Sequence, residues 1–581
     1  MSYRVDRSRQ FAASSLAEHM SRTDPFKHVD VPPYVDRVKI LGIYYLHTRQ
    51  DDGGDLYVTR FGLPYLEHLK LSNWHEEGWF KVHREKLKGT STVYKVPSKV
   101  VNGRSINLVV KWCRVGTEVP LDTMTFNRFS DAEFNSPFEE FSLLMEMRER
   151  ARGPRILTHK PLGIYVPPEQ LKLWQTGRSK SRIDRKKSKH RDVELDILRQ
   201  YILIYEWIKG ESADFALDNI ISDPETRKEE IYRLTTRARR DMEQKGFHVI
   251  DHKPAHVILR QKRDRTILKR RNGDVPYALV DFELLIRTTS YEKEVENIRR
   301  SKYLELQRSK FDLSKNSPLP EHLKCTGIYG VDYVWGYTES THGMLWVVGR
   351  NAELFDYFLP ERWRHTQRKL LSDTAETYHT VSKDHVSLVW KVSRVGETPE
   401  PSSSYPYVEN IMEHGYNSPF EEFAIAMELS RQGISIIYPR AIYRAGLESP
   451  RARDYVTDLG RFKSHADIQT PDGLPVLSKG HNYITLWGFW QGRIDDSEDD
   501  TEAPCTGMDL STALRERLIS KPEQSRLIEL AHEKIKDAGF MPFLKPSHLL
   551  LSIEADGSFR RDAATGLPVV TICNFELLKR I

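Results

Sequence analysis

The sequence predicts an α+β fold built twice over in one chain, and three observations carry that prediction. The heptapeptide Asn-Ser-Pro-Phe-Glu-Glu-Phe occurs at 135–141 and again at 417–423. Further matches follow in the same order in both halves. Within each half, short β-branched runs alternate with stretches of helical period.

The matches run the length of each copy. Gly42-Ile43-Tyr44 pairs with Gly327-Ile328-Tyr329, and Leu108–Trp112 pairs with Leu388–Val392, each followed shortly by Arg-Val-Gly. Tyr201-Ile202 pairs with Tyr483-Ile484, Lys253-Pro254-Ala255-His256 with Lys545-Pro546-Ser547-His548, and Asp281-Phe282-Glu283 with Asn574-Phe575-Glu576. The offset grows only from 280 at Lys111 to 293 at Asp281, as expected where loops alone change length. The resulting division is a flexible N-terminal tail over 1–37, copy one over 38–310, a linker over 311–321 and copy two over 322–581. The linker carries Ser314, Asn316, Ser317, Pro318 and Pro320, a composition that suits a connection.

In copy one, residues 38–62 read as short strands around the turn Asp51–Gly54. Val93–Val96 and Ile106–Cys113 alternate about Asn102-Gly103, a hairpin signal. A helix follows with its start chemistry written out. Ser136 can cap, Pro137 suits the first helical position, and Glu139 completes a capping box. Tyr201–Trp207 reads as a buried strand, and 224–246 as an amphipathic helix stopped by Gly246. Val249-Ile250, Val257–Leu259 and Ala278–Val280 read as short strands, and Tyr291–Gln307 as a charged helix.

Composition excludes several classes. A chain of 581 residues with 39% hydrophobic content can bury two cores. The net charge of +6 is too small for its length to argue nucleic-acid binding. The four cysteines, Cys113, Cys325, Cys505 and Cys573, form no Cys-x-x-Cys and suit a reducing compartment. Residues 1–23 lack the apolar run of a secretory signal, and no run approaches membrane-spanning length. The expectation is a cytoplasmic protein with no membrane partner. The stretch 178–191 holds eight Lys or Arg and one Asp. It reads either as a patch for an acidic partner or nucleic acid, or as a solvated loop. No aromatics interleave to stack bases, which favours the loop.

The order of elements, a strand lysine, a helix glutamate and then two clustered carboxylates, resembles the protein-kinase fold, twice, with truncated C-lobes. Val109-Val110-Lys111 is similar to the strand ending in the phosphate-binding lysine, and Glu140 to the helix glutamate that pairs with it. Tyr205–Gly210 resembles the hinge, Asp251–Leu259 the catalytic loop, and Asp281-Phe282-Glu283 the metal-binding Asp-Phe-Gly. The resemblance implies ATP with Mg2+ or Mn2+ as cofactors. Gly89, Lys111, Glu140, Glu206 and Trp207 would bind nucleotide, Asp251 would act as base, Lys253 would contact the transferring phosphate, and Asp281 and His256 would meet metal. Lys111–Glu140 also reads as a plain structural pair, since Lys391 and Glu422 repeat it. Copy one departs from the pattern at its single-glycine loop Gly89–Val93, at Val249-Ile250, at His256 and at Glu283. Copy two has Phe543 and Asn574 where copy one has Asp251 and Asp281, which implies a regulatory or scaffolding pseudokinase. The expected partners are a nucleotide and a protein substrate or regulator. The alternative is a non-catalytic tandem interaction module.

Overall fold

A computed structural model describes residues 24–29, 32, 34–87, 92–113, 134–171, 198–262, 264, 266–312, 319–364, 366–372, 375–399, 408–490, 506–554, 556–562 and 566–581. Gly89 and the basic stretch 178–191 lie outside these. The described residues divide into two compact units, those up to Ile298 and those from Arg299 onward.

The first unit carries strands β1 (Val35–Ile40), β2 (Ile43–Arg49), β3 (Asp55–Val58), β4 (Glu85–Lys86), β5 (Val93–Pro97), β6 (Asn107–Trp112), β7 (Leu157–Thr158), β8 (Pro161–Val166) and β9 (Ile202–Glu206). All but β7 form one sheet in the order β1-β2-β3-β8-β9-β6-β5-β4. The β5–β6 hairpin turns at Asn102 and Gly103, with φ of +49° and +74°, the left-handed pair that a two-residue turn demands. Strand β1 opens at Val35, inside the stretch expected to be a tail, and Phe26 before it is fully buried. Trp74, Leu108, Val110, Tyr165, Ile202 and Ile204 fill the core on one face of the sheet. Each such side chain contributes about 1.5–3 kcal/mol on burial. Helix α1 (Glu77–His83) places Phe80 against this group.

Helix α2 (Pro137–Glu149) follows β6. The Glu139 N–H donates to Ser136 Oγ at 3.3 Å, and the Ser136 N–H donates to Glu139 Oε2 at 3.0 Å. This is the expected capping box. Asn135 adds a tie that its sequence did not announce. Its backbone N–H donates to the Glu283 carbonyl at 2.9 Å, and its Nδ2 donates to that of Leu285 at 2.9 Å. The repeated heptapeptide therefore caps a helix and anchors it to the Asp-Phe-Glu segment. The remainder holds β10 (Glu211–Ser212), α3 (Ala213–Asp218), α4 (Pro224–Gln244), β11 (Phe247–Val249), β12 (Val257–Leu259), β13 (Tyr277–Leu279) and β14 (Leu285–Arg287). Strands β10, β12, β13 and β7 form a small sheet, and β11 pairs with β14. The division into units falls inside α5 (Thr289–Arg308).

The second unit repeats the plan. Its sheet runs β15 (Lys324–Ile328), β16 (Val331–Thr338), β17 (Gly343–Val348), then β21 (Pro439–Arg444), β22 (Tyr483–Gly488), β20 (Ser387–Val392), β19 (Thr377–Val381) and β18 (Arg368–Leu370). That is the strand order of the first sheet, element for element. Helix α6 (Pro419–Arg431) has the same capping box through Ser418 and Glu421. Asn417 reaches the Phe575 and Leu578 carbonyls at 2.8 and 2.7 Å, as Asn135 does in its unit. Helix α7 (Lys521–Asp537) and β23 (Thr506–Asp509), β24 (Phe540–Met541), β25 (Leu549–Ile553), β26 (Val570–Ile572) and β27 (Lys579–Arg580) complete it. The chain is thus of α+β class.

Candidate functional site

Lys111 lies on β6, an interior strand of the sheet, where apolar neighbours on both sides bury it. A buried ammonium needs counter-charge, and three carboxylates provide it. Lys111 Nζ donates to Asp281 Oδ1 at 2.6 Å and stands 3.1 Å from Glu283 Oε2 and 3.8 Å from Glu140 Oε1. Glu140 comes from the first turn of α2, which the cap positions. Asp281 and Glu283 follow β13, held by Asn135. Lys111 and Asp281 are 170 residues apart in sequence.

The electrostatics follow from this burial. Burial pushes the Glu140 carboxyl up to about 7, against the pull of Lys111 and of the Tyr205 hydroxyl, which donates to it at 2.5 Å. Burial acts on Asp281 too, but Lys111 and then His256 outweigh it and bring that carboxyl down to about 2. The Lys111 ammonium is held well above the ordinary lysine value because its three carboxylates outweigh desolvation. His159 stacks on Tyr205 with ring centroids 3.8 Å apart and edges against Phe282 at 5.4 Å. Burial and the nearby Lys111 lower it to about 3, so it is neutral. Asp281 also has a left-handed backbone, φ +67°, which a non-glycine residue adopts at a cost.

The other expected site residues fall into three groups. His256 joins the cluster, with Nε2 3.5 Å from Asp281 Oδ2. That places His256 and Asp281 against each other rather than around a shared ion. His548 and Asn574 repeat the contact at 3.2 Å in the second unit, where no carboxylate is present at that position. Asp251 and Lys253 stay apart from the cluster. They pair with each other at 2.6 Å, both about half exposed. Glu206 and Trp207 sit at the end of β9 with their backbone N–H groups engaged by the Lys160 and Asn107 carbonyls, at 3.0 and 3.2 Å. The Glu206 carboxylate pairs with Lys160, and Lys95 lies over the Trp207 ring.

Among the described residues, no group of three or more His, Cys, Asp or Glu side chains is arranged to hold a metal ion. The donor set therefore does not form a protein-built metal cage: of the Asp281 oxygens, Oδ1 accepts from Lys111 and Oδ2 faces His256. Two members of the cluster escaped sequence reasoning. Glu283 stood out only as a departure from glycine, yet Glu576 repeats it and signalled a shared role. His159 has no counterpart in copy two, where Ile437 occupies the matching place, so no repeat pointed to it.

The second unit builds the same knot with one carboxylate fewer. Lys391 Nζ lies 3.1 Å from Glu422, 2.8 Å from Glu576 and 3.5 Å from the Asn574 amide oxygen. Arg394 adds a second cation on Glu576. Fold and site together define an α+β protein of two like units, each centred on a buried lysine–carboxylate cluster. Set against known proteins, the chain matches no family model and no curated protein. Among the described residues, no helix is long and apolar enough to cross a membrane.

Proposed function

We propose that the first unit is a kinase-like nucleotide-binding domain with phosphotransfer chemistry, and that the second is its non-catalytic duplicate. The observation that carries the proposal is the convergence of Lys111, Glu140 and Asp281, with Asp281 in a strained left-handed backbone that Asn574 does not share. Strain held at one position of a packed site is a mark of function. The sheet order supports the reading. In the run β4-β5-β6-β9-β8 the lysine strand β6 lies between its hairpin partner β5 and β9, the strand that leads to the expected hinge.

In this reading Lys111 contacts the nucleotide phosphates and Glu140 holds its ammonium in place. Asp251 takes the proton from the acceptor hydroxyl, and Lys253 neutralises the charge on the group in transit. A divalent cation arriving with the nucleotide would rest on Asp281 and supply charge neutralisation there.

The test is thermal melting of the full chain with ATP and Mg2+ or Mn2+, for the parent and for Asp281→Asn, which reproduces the residue of the second unit. A ligand at ~100 times its dissociation constant adds about 2.7 kcal/mol. The expected result is a metal-dependent rise lost in Asp281→Asn, with Asp251→Asn retaining the rise but losing nucleotide turnover. No rise with either metal would overturn the proposal. That result would favour the second reading, a non-catalytic interaction module. Its specific support is Glu283, which occupies the Lys111 ammonium as Glu576 occupies Lys391.

A further inference from the structure

A cavity of about 510 Å3 opens in the first unit, and neither Lys111, Asp251 nor Asp281 lines it. Its wall combines the end of α2, the segment before β8, the Glu206–Lys209 segment and the small sheet. Seven cationic side chains line it against two carboxylates, Glu149 and Glu206. Those two are already engaged, by Arg60 and Lys160. Arg148, Arg155, Lys209 and Arg260 have no carboxylate within ion-pair distance among the described residues. Arg60 and Arg148 sit over the Phe61 ring, at 4.8 and 5.0 Å from its centroid. Arg148 Nε is buried without a partner. Burial lowers the Arg148 guanidinium from its ordinary value, against the pull of Glu206 and with Arg60 and Arg155 adding to it. Like charges gathered in a concave wall repel each other until an anion joins them.

The second unit shows that the fold itself does not require these cations. Counting from the shared motifs, Ser430 stands for Arg148, Tyr438 for Lys160 and Ser552 for Arg260, and the strand registers place Gly349 where Arg60 stands. There, Lys310 lies against two of these places, over the Tyr438 ring and beside Gly349. The Arg350 N–H donates to the Lys310 carbonyl at 2.7 Å, Arg440 donates to Gln307 Oε1 at 2.6 Å, and a Cβ at Gly349 would meet Lys310 at 2.8 Å. In the first unit the preceding residues 1–23 carry Arg4, Arg7, Arg9 and Arg22 against Asp6 and Glu18. A segment of that charge does not complement a cationic wall.

We propose that this cavity of the first unit binds a small anion carrying clustered phosphate groups. Its volume lies in the range of small-molecule sites, which favours a compact ligand over a peptide or nucleic acid. Arginine is the side chain suited to paired phosphate oxygens, and three of the four cations without a carboxylate are arginines. The cavity shares Glu206 and Trp207 with the expected hinge but none of Lys111, Glu140, Asp251 or Asp281, and the anion reading does not rest on nucleotide binding.

Isothermal titration of the full chain with inorganic tripolyphosphate and, separately, with inositol hexakisphosphate tests this and distinguishes a linear polyphosphate from phosphomonoesters clustered on a ring. The comparison variant is Arg155→Ala with Lys209→Ala and Arg260→Ala. All three residues are exposed, so the variant keeps its core, which a melting curve verifies. The expected result is saturable binding of at least one probe, weakened about tenfold or more in the triple variant and unchanged in Asp281→Asn. Absence of binding by both probes, equal binding by the triple variant, or loss of binding in Asp281→Asn would each overturn the proposal.

Discussion

The two lysine clusters use one geometry and differ in charge. In the first unit Lys111 faces three carboxylates, and His256 stands against one of them. In the second, Asn574 removes one carboxylate while Arg394 adds a cation, so two positive groups meet Glu422 and Glu576. The second cluster is balanced within itself. The first carries excess negative charge around a strained Asp281, and a cation from outside would relieve it. The difference teaches that the lysine–glutamate pair is the structural constant of this fold, and that position 281 or 574 is where the units diverge in chemistry.

The largest expected effect separates the clusters by their spare cation. Lys111→Ala leaves Glu140, Asp281 and Glu283 without the ammonium and should cost about 3–5 kcal/mol, the usual loss when one partner of a buried pair is removed. Lys391→Ala should cost less, because Arg394 remains on Glu576. Calorimetry that resolves the two unfolding transitions checks this. Equal losses would show that Arg394 does not substitute for Lys391.

A smaller effect sharpens what the clusters share. Glu140 and Glu422 are both pushed up to about 7 by burial. A carboxyl raised in the folded state stabilises below its ordinary value and loses that contribution as pH rises through about 7. Asp281, lowered to about 2, does the reverse and is constant from pH 5 to 8. Buried His159 and His548, lowered to about 3 and about 4, favour folding as pH rises toward their ordinary value, so the comparison must be variant against parent. Glu140→Gln should therefore gain stability relative to the parent between pH 5 and 8, on the order of a few kcal/mol. Glu422→Gln should gain in the same direction. Denaturant midpoints across that range provide the measurement, and a pH-independent difference would remove Glu140 as the titrating group.

The smallest effect separates the two caps by one contact: Ser418 Oγ also meets His465 Nε2 at 2.8 Å, so the loss should be larger in the second unit. Ser136→Ala and Ser418→Ala each remove a capping-box hydroxyl, at a cost of about 1 kcal/mol. Equal melting shifts would mean that the Ser418–His465 contact adds nothing to the cap.

Much of this was legible in the chain because it is local or repeated. The caps at Ser136 and Ser418, the Asn102-Gly103 turn, the α4 helix ending at Gly246 and the buried strand at Tyr201 depend on neighbours within a few residues. Lys111 was legible because a charge inside an apolar run must find a partner, and Glu140 and Asp281 joined it only through the resemblance to the kinase fold. What only the tertiary structure decided is which partners meet across long sequence separations. It brought Glu283 and His159 to the cluster, left Asp251 and Lys253 paired outside it, and collected cations from five separate segments around one cavity. Sequence determines that a buried charge must be compensated, because desolvation penalises it wherever it lies. Only the folded path of the chain decides which carboxylate does so, because that depends on distances of a few ångströms between residues far apart in the chain.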